Sequence, residues 1–261
     1  MKLPLSMVAA MIVMCAFVIS GCTSRSQFPA LSTKLMLVGD LYRPDRAGRL
    51  PAVVLLAPCG GVTQHMGEWA SWLKQQGYVI LIVDSFSPRG AANACHGESP
   101  KVADASRDAL AALSYLKTLP FVDADRVAVV GWSHGGGAAL YVSRLRRLEP
   151  ELAGRPAFRA VVAFYPGCMF LDVQTQTPTL MLLAGRDDWT PPDQCLAAGD
   201  HLRQQQRPVS WVVYSNAYHA FDQPGPMRTY LGHALAYDGA ATNASREEVR
   251  TFLSVHLQDG R

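Results

Sequence analysis

Gly131-Trp132-Ser133-His134-Gly135 has the form Gly-x-Ser-x-Gly, a pattern suited to presenting a serine hydroxyl for nucleophilic attack. Such a serine sits on a sharp, strained turn between a strand and a helix, where side chains two residues to either side would collide. Glycines at 131 and 135 remove that collision, and Gly136 and Gly137 follow them. Val127-Ala-Val-Val130 reads as the strand before the turn, and residues 135–148 as a helix whose N-terminal end favours developing negative charge. The bland alternative is a glycine-rich strand–helix turn with no chemistry, and partner residues are what separate the two.

A serine hydroxyl is a weak nucleophile until a base takes its proton, so a histidine and an orienting carboxylate must exist. For an elbow serine they follow in the order acid, then histidine. Past a strand at residues 179–184 comes Gly185-Arg-Asp-Asp-Trp-Thr-Pro191, which puts two carboxylates beyond the strand's carboxyl end. Asp188 is preferred as the acid, lying three residues past Gly185 and just before the Trp-Thr-Pro turn. Asp187 is left as a turn cap or a partner of Arg186. His219, in the loop after a strand at 209–214, is the histidine with the right order and position. His65 and His96 lie in loops that could touch substrate, whereas His201, His233 and His256 fall in or near helices. The oxyanion formed on attack needs two N–H donors: that of His134 and one from Pro58-Cys59-Gly60-Gly61. Pro58 has no N–H, leaving Cys59 or Gly60. No His-Glu-x-x-His or paired Cys/His spacing suggests a metal site, and no cofactor is implied.

The elements that must hold these residues alternate along the chain. Strands are expected at 35–42, 51–57, 78–83, 126–130, 160–164, 179–184 and 209–214. Helices are expected at 68–76, after an N-cap at Ser99-Pro100, at 135–148, near 192–206 and at 246–257. Continuous apolar strands between helices predict an α/β fold with a mostly parallel sheet covered on both faces. In 261 residues with 17% charged and 49% hydrophobic side chains, disorder is excluded. A net charge of +3 without a basic run argues against a nucleic-acid partner.

The first 21 residues have a different character. Lys2 precedes an unbroken apolar run at 7–19, too short for a bilayer span and right for a signal-peptide core. Ile19-Ser-Gly-Cys22 after it resembles the lipobox of bacterial lipoproteins. That resemblance implies cleavage before Cys22, a lipid on Cys22, a polar tether over 22–33, and a domain at 34–261. It also implies an exported, membrane-anchored protein of the bacterial cell envelope, facing the periplasm. Cleavage leaves 240 residues and, with Lys2 lost, a net charge of +2. Cys15 leaves with the signal and Cys22 is lipidated, so Cys59, Cys95, Cys168 and Cys195 remain. In an oxidising compartment they suggest two disulfides, with three possible connectivities.

From about residue 35 to 257 the sequence resembles the dienelactone hydrolase family of α/β-hydrolases. The residues that carry the likeness are Pro58-Cys-Gly-Gly61, Val83-Asp-Ser-Phe-Ser-Pro-Arg-Gly90, Gly131-Trp-Ser-His-Gly-Gly136, Tyr165-Pro-Gly-Cys168, Gly185-Arg-Asp-Asp-Trp-Thr-Pro191 and His219-Ala-Phe221. The resemblance implies a serine hydrolase that cleaves a small-molecule ester through an acyl-enzyme on Ser133, His219 and Asp188. An acyltransferase on the same residues and a non-catalytic envelope lipoprotein are the alternatives. Founding members carry a cysteine in the elbow, held by a glutamate near the first loop. Here Ser133 and Pro58-Cys59 stand instead, which points away from dienelactone itself and toward a more general esterase. Family members bind anionic substrate through arginine, which makes Arg89 a candidate, with Trp132 beside the serine a second. Placed on this framework, Cys59 and Cys95 fall in loops bordering the site and Cys168 and Cys195 flank the acid loop. The expected pairs are therefore Cys59–Cys95 and Cys168–Cys195. Oligomeric state is not encoded in any feature of the sequence.

Overall fold

The computed structural model describes residues 23–31 and 33–257. The expected signal segment and the lipidation residue Cys22 lie outside the described residues. In chain order the elements are β1 (Thr23–Pro29), β2 (Met36–Tyr42), β3 (Leu50–Leu56), α1 (Gln64–Gln75), β4 (Val79–Asp84), α2 (Val102–Leu116), β5 (Val122–Trp132), α3 (His134–Leu148), α4 (Pro150–Ala153), β6 (Ala160–Phe164), β7 (Thr179–Ala184), α5 (Pro192–Gln204), β8 (Val209–Tyr214), β9 (Arg228–Tyr230), β10 (His233–Leu235) and α6 (Gly239–Leu257). β1 to β8 form one sheet in the order β1-β2-β4-β3-β5-β6-β7-β8. The β1–β2 and β2–β4 pairs are antiparallel and all the others parallel. This is the α/β-hydrolase architecture.

Strand alternation divides the core into two layers. Ala52, Val54 and Leu56 of β3, with Val127 and Val129 of β5, pack into the layer that holds α2, α3 and α5. Val53 and Leu55, with Ala128, Val130 and Trp132, face α1 and α6 on the other side. Helices thus cover both faces, as expected. α1 stops where expected: Gly77, at φ +99°, takes the left-handed conformation that releases the chain into β4.

Three features differ from the sequence reading. Residues 23–29, expected as a polar tether, form the edge strand β1, because Ser26 and Phe28 alternate inward. Phe28 stacks on Tyr115 of α2 at 5.0 Å, and the Tyr115 hydroxyl donates to Ser26 at 3.1 Å. Ser99-Pro100 does not cap α2. Lys101 takes the N-cap position, and its N–H donates to the Asp104 carboxylate in the first turn at 3.0 Å. After the histidine loop, the short antiparallel hairpin β9–β10 appears where no element was expected. His233 lies in this hairpin, not in a helix.

Candidate active site

The strands deliver three loops to one edge of the sheet. β5 ends at Trp132, and Ser133 follows at φ +51°, ψ −111° before α3 begins. The strain is imposed by packing. A Cβ on Gly131 would come 2.0 Å from the Gly135 carbonyl oxygen, and one on Gly135 would come 2.3 Å from the Leu56 carbonyl oxygen. Only glycine fits at either position, which is the physical content of the Gly-x-Ser-x-Gly spacing.

The Ser133 hydroxyl lies 3.0 Å from His219 Nε2, and His219 Nδ1 lies 2.7 Å from Asp187 Oδ2. A carboxylate can only accept, so the imidazole proton sits on Nδ1 and leaves Nε2 free to take the serine proton. Ser133, His219 and Asp187 are all buried. Asp187, not Asp188, is therefore the carboxylate on the histidine. The acid loop folds back over it: the N–H groups of Trp189 and Thr190 both donate to Oδ1 at 2.9 Å, and the Thr190 hydroxyl lies 3.0 Å from Oδ2. Asp188 points the other way. Its side chain is 52% exposed, accepts the Ala234 N–H at 3.1 Å and pairs with His233 at 3.5 Å, so it holds the hairpin. Adjacent residues on a tight turn project to opposite sides, and the expected acid, Asp188, is the outward one.

A cavity of about 230 Å³ opens above Ser133. Pro58, Cys59 and Gly60 line one side, and Trp189, Tyr165 and Leu235 another. In the Pro58 loop, the Gly61 N–H is taken by the Pro58 carbonyl at 3.0 Å, and the Cys59 carbonyl accepts Ala94 N–H at 2.8 Å. Both expected disulfides are present, and Cys59–Cys95 itself lines the cavity. His134 opens α3, and its ring turns away to pack near Phe86. Burial lowers the affinity of that ring for a proton, partly opposed by the Pro100 carbonyl.

Neither expected substrate residue touches the cavity. Arg89 is engaged by Asp108 at 2.7 and 2.9 Å and by the Ser85 carbonyl, so it braces its loop. Trp132 continues the inward register of Ala128 and Val130 and is fully buried, with its indole N–H on Asp222 at 2.7 Å. Of the two loop histidines, His65 is buried at the start of α1, its ring edge against Trp132, and does not line the cavity. His96 does not line it either. The cavity instead draws Gln223, Arg228 and Tyr230 from the region after His219. A weak signal for them existed in Tyr230-Leu-Gly-His233, where Gly232 at φ +88° makes the hairpin turn.

The model of the dienelactone hydrolase family matches residues 37–257. Among curated proteins, the chain is 27% identical over 206 residues to a Bradyrhizobium sp. protein named "Probable 2-oxo-3-(5-oxofuran-2-ylidene)propanoate lactonase", covering 70% of this chain and 78% of that one. Among solved structures it resembles a dienelactone hydrolase-like promiscuous phosphotriesterase from metagenomic libraries, with a TM-score of 0.72 at 23% identity, covering 91% of this chain and all of that one. It also resembles a thermostable esterase from Pseudomonas putida, with a TM-score of 0.69 at 18% identity, covering 91% and 84%. At these identities the two structures speak to the fold, while the family match spans both loops and strands that build the site. The chain belongs to the dienelactone hydrolase family and is a hydrolase acting on ester bonds.

Proposed function

We propose that the protein is a serine esterase working through an acyl-enzyme on Ser133, His219 and Asp187. The observation that carries this is the continuous 3.0 and 2.7 Å relay from a strained serine to a buried carboxylate, opening on a ligand-sized cavity. His219 Nε2 takes the Ser133 proton as Oγ attacks the ester carbonyl, and Asp187 stabilises the imidazolium. The oxyanion is received by the N–H of His134 and that of Cys59 or Gly60. His219 then returns the proton to the leaving alcohol. Water, deprotonated by the same nitrogen, releases the acid.

The substrate we infer is a small ester or lactone that carries a carboxylate. Arg228 lines an otherwise mostly apolar cavity, and its neighbour there is the neutral Gln223 amide at 3.3 Å. Among the described residues no carboxylate pairs with it, so its charge is available to a ligand. The Bradyrhizobium relative, named for a lactone with a propanoate arm, fits that chemistry.

We also propose that the enzyme is exported and lipid-anchored through Cys22 to a bacterial envelope membrane. Two disulfides in the body support an oxidising compartment. Among the described residues no helix is long and apolar enough to cross a membrane, so such attachment would rest with the N-terminal segment.

A fluorophosphonate probe should label the protein on Ser133, and Ser133→Ala should abolish labelling and lower ester turnover by on the order of a million-fold. Arg228→Gln should raise KM for carboxylate-bearing esters while sparing neutral ones. Absence of labelling would favour a non-catalytic envelope protein. An ester product formed from an added alcohol would favour an acyltransferase.

A further inference from the structure

Below the triad lies a second buried carboxylate that the proposed chemistry does not use. Asp222 is 3% exposed, and three neutral donors converge on it. The indole N–H groups of Trp69 and Trp132 donate to Oδ2 at 2.8 and 2.7 Å, and the Tyr165 hydroxyl donates to Oδ1 at 2.6 Å. Burial and the charge of Asp222 both raise the Tyr165 phenol well above its ordinary value, so it stays a donor throughout the working pH range.

Two of these donors reach the segments that carry the triad, Trp132 by adjacency in the chain and Tyr165 by contact. Trp132 immediately precedes Ser133 on the strained elbow. Tyr165, itself at φ +35°, sets its ring 4.7 Å from that of His219, tilted by 59°. The Tyr165 carbonyl lies 3.0 Å from the Thr190 hydroxyl, and Thr190 holds Asp187 through its N–H. Asp222 itself follows His219 by three residues, past Ala220 at φ +59°. One carboxylate is thus joined to the nucleophile, base and acid segments by at most two contacts each. Buried networks of this kind fix geometry when every member is satisfied.

Resting on the proposed Ser133–His219–Asp187 reading, we propose that Asp222 is a positioning residue that sets the relative placement of all three through Trp132 and Tyr165. Asparagine keeps the shape, but its NH2 either faces the two indole N–H donors or forces the Tyr165 hydroxyl to turn from donor to acceptor. At least one contact is then lost or reversed, and every donor loses the carboxylate's charge. Displacements near an ångström in such a site cost about a hundredfold in rate. Asp222→Asn should therefore lower kcat by about ten- to a hundredfold, with KM within about twofold, when assayed well below its melting temperature. Tyr165→Phe, which deletes a single donor, should show a smaller loss of the same kind. Leu253→Ala in α6 supplies a core substitution that lowers the melting temperature, and it should leave kcat unchanged. The proposal is overturned if Asp222→Asn keeps wild-type kcat, or if Leu253→Ala loses kcat in proportion to its stability. Should Asp222→Asn not fold, an unchanged kcat in Tyr165→Phe overturns it. Failure of the triad reading itself would show separately, as activity surviving Ser133→Ala.

Discussion

The floor and the roof of the catalytic cavity are built in opposite ways. The floor rests on buried core: Tyr165 reaches the cavity, and behind it Trp69, Trp132 and Phe164 pack edge and face beside the Asp222 carboxylate, each nearly inaccessible. The roof is the hairpin β9–β10, six strand residues with Tyr230 and Leu231 exposed. It is held by Asp188 on the Ala234 N–H and by His233 stacked on Trp189 at 4.9 Å. Asp187 and Asp188 stand at the boundary, one serving each region. Removing water from a charge makes its contacts strong and its loss costly, whereas a half-exposed carboxylate works against solvent competition. The floor should therefore govern turnover and the roof should govern binding.

The largest test of that division substitutes the two neighbours in turn. Asp187→Asn should lower kcat by about ten-thousandfold, as loss of the orienting carboxylate does in other triads, because the histidine can then hold the wrong tautomer. Asp188→Asn should leave kcat within about threefold and raise KM, since it frees the hairpin that carries Arg228 and Tyr230. Steady-state kinetics on one ester settle both. Equal losses in kcat would erase the distinction between the two regions.

The disulfides make a second, smaller contrast. On a loop-entropy view, spans of 36 and 27 residues each contribute about 3.5–4 kcal/mol. Cys59–Cys95 lines the cavity and holds the loop expected to supply an oxyanion donor, whereas Cys168–Cys195 does not line it. Paired serine substitutions at either bridge should lower the melting temperature. Only the Cys59/Cys95 pair should also lower kcat, by up to about a hundredfold where a donor is misplaced. Equal kcat in both double variants would remove the loop from the mechanism.

How much of this was legible depended on whether the controlling force is local. The elbow is local: Gly131 and Gly135 are dictated by backbone collisions within one turn, so the pattern announced Ser133. Strands β6 and β7 matched the expected 160–164 and 179–184, because buried parallel strands are apolar throughout, and the edge strand β8 matched 209–214 through its β-branched and aromatic residues. Asp187 and Asp188 are chemically identical neighbours, and only a partner 32 residues away, His219, tells them apart. Arg89 matched a family block but met Asp108 on α2, a long-range ion pair that no motif displays. The hairpin is three residues per strand with mixed polarity, too short for periodicity to register. No local pattern marks Asp222, because its donors lie 153, 90 and 57 positions away.

The finest test concerns acid sensitivity of the floor. His65 sits with its ring edge against Trp132, and burial lowers its proton affinity, with the charges of Asp222 and Glu68 only partly opposing. An imidazole that binds its proton less readily in the fold than in the open chain gains that proton on unfolding. Its contribution to stability is therefore complete above the ordinary imidazole value of about 6.5 and declines as pH falls below it. Between pH 7.5 and 5 the melting temperature should fall, and His65→Gln, which cannot titrate, should fall by about 1–3 °C less. Parallel curves for the two proteins would mean that acid enters elsewhere, and His134, lowered by burial at the start of α3, is then the group to substitute next.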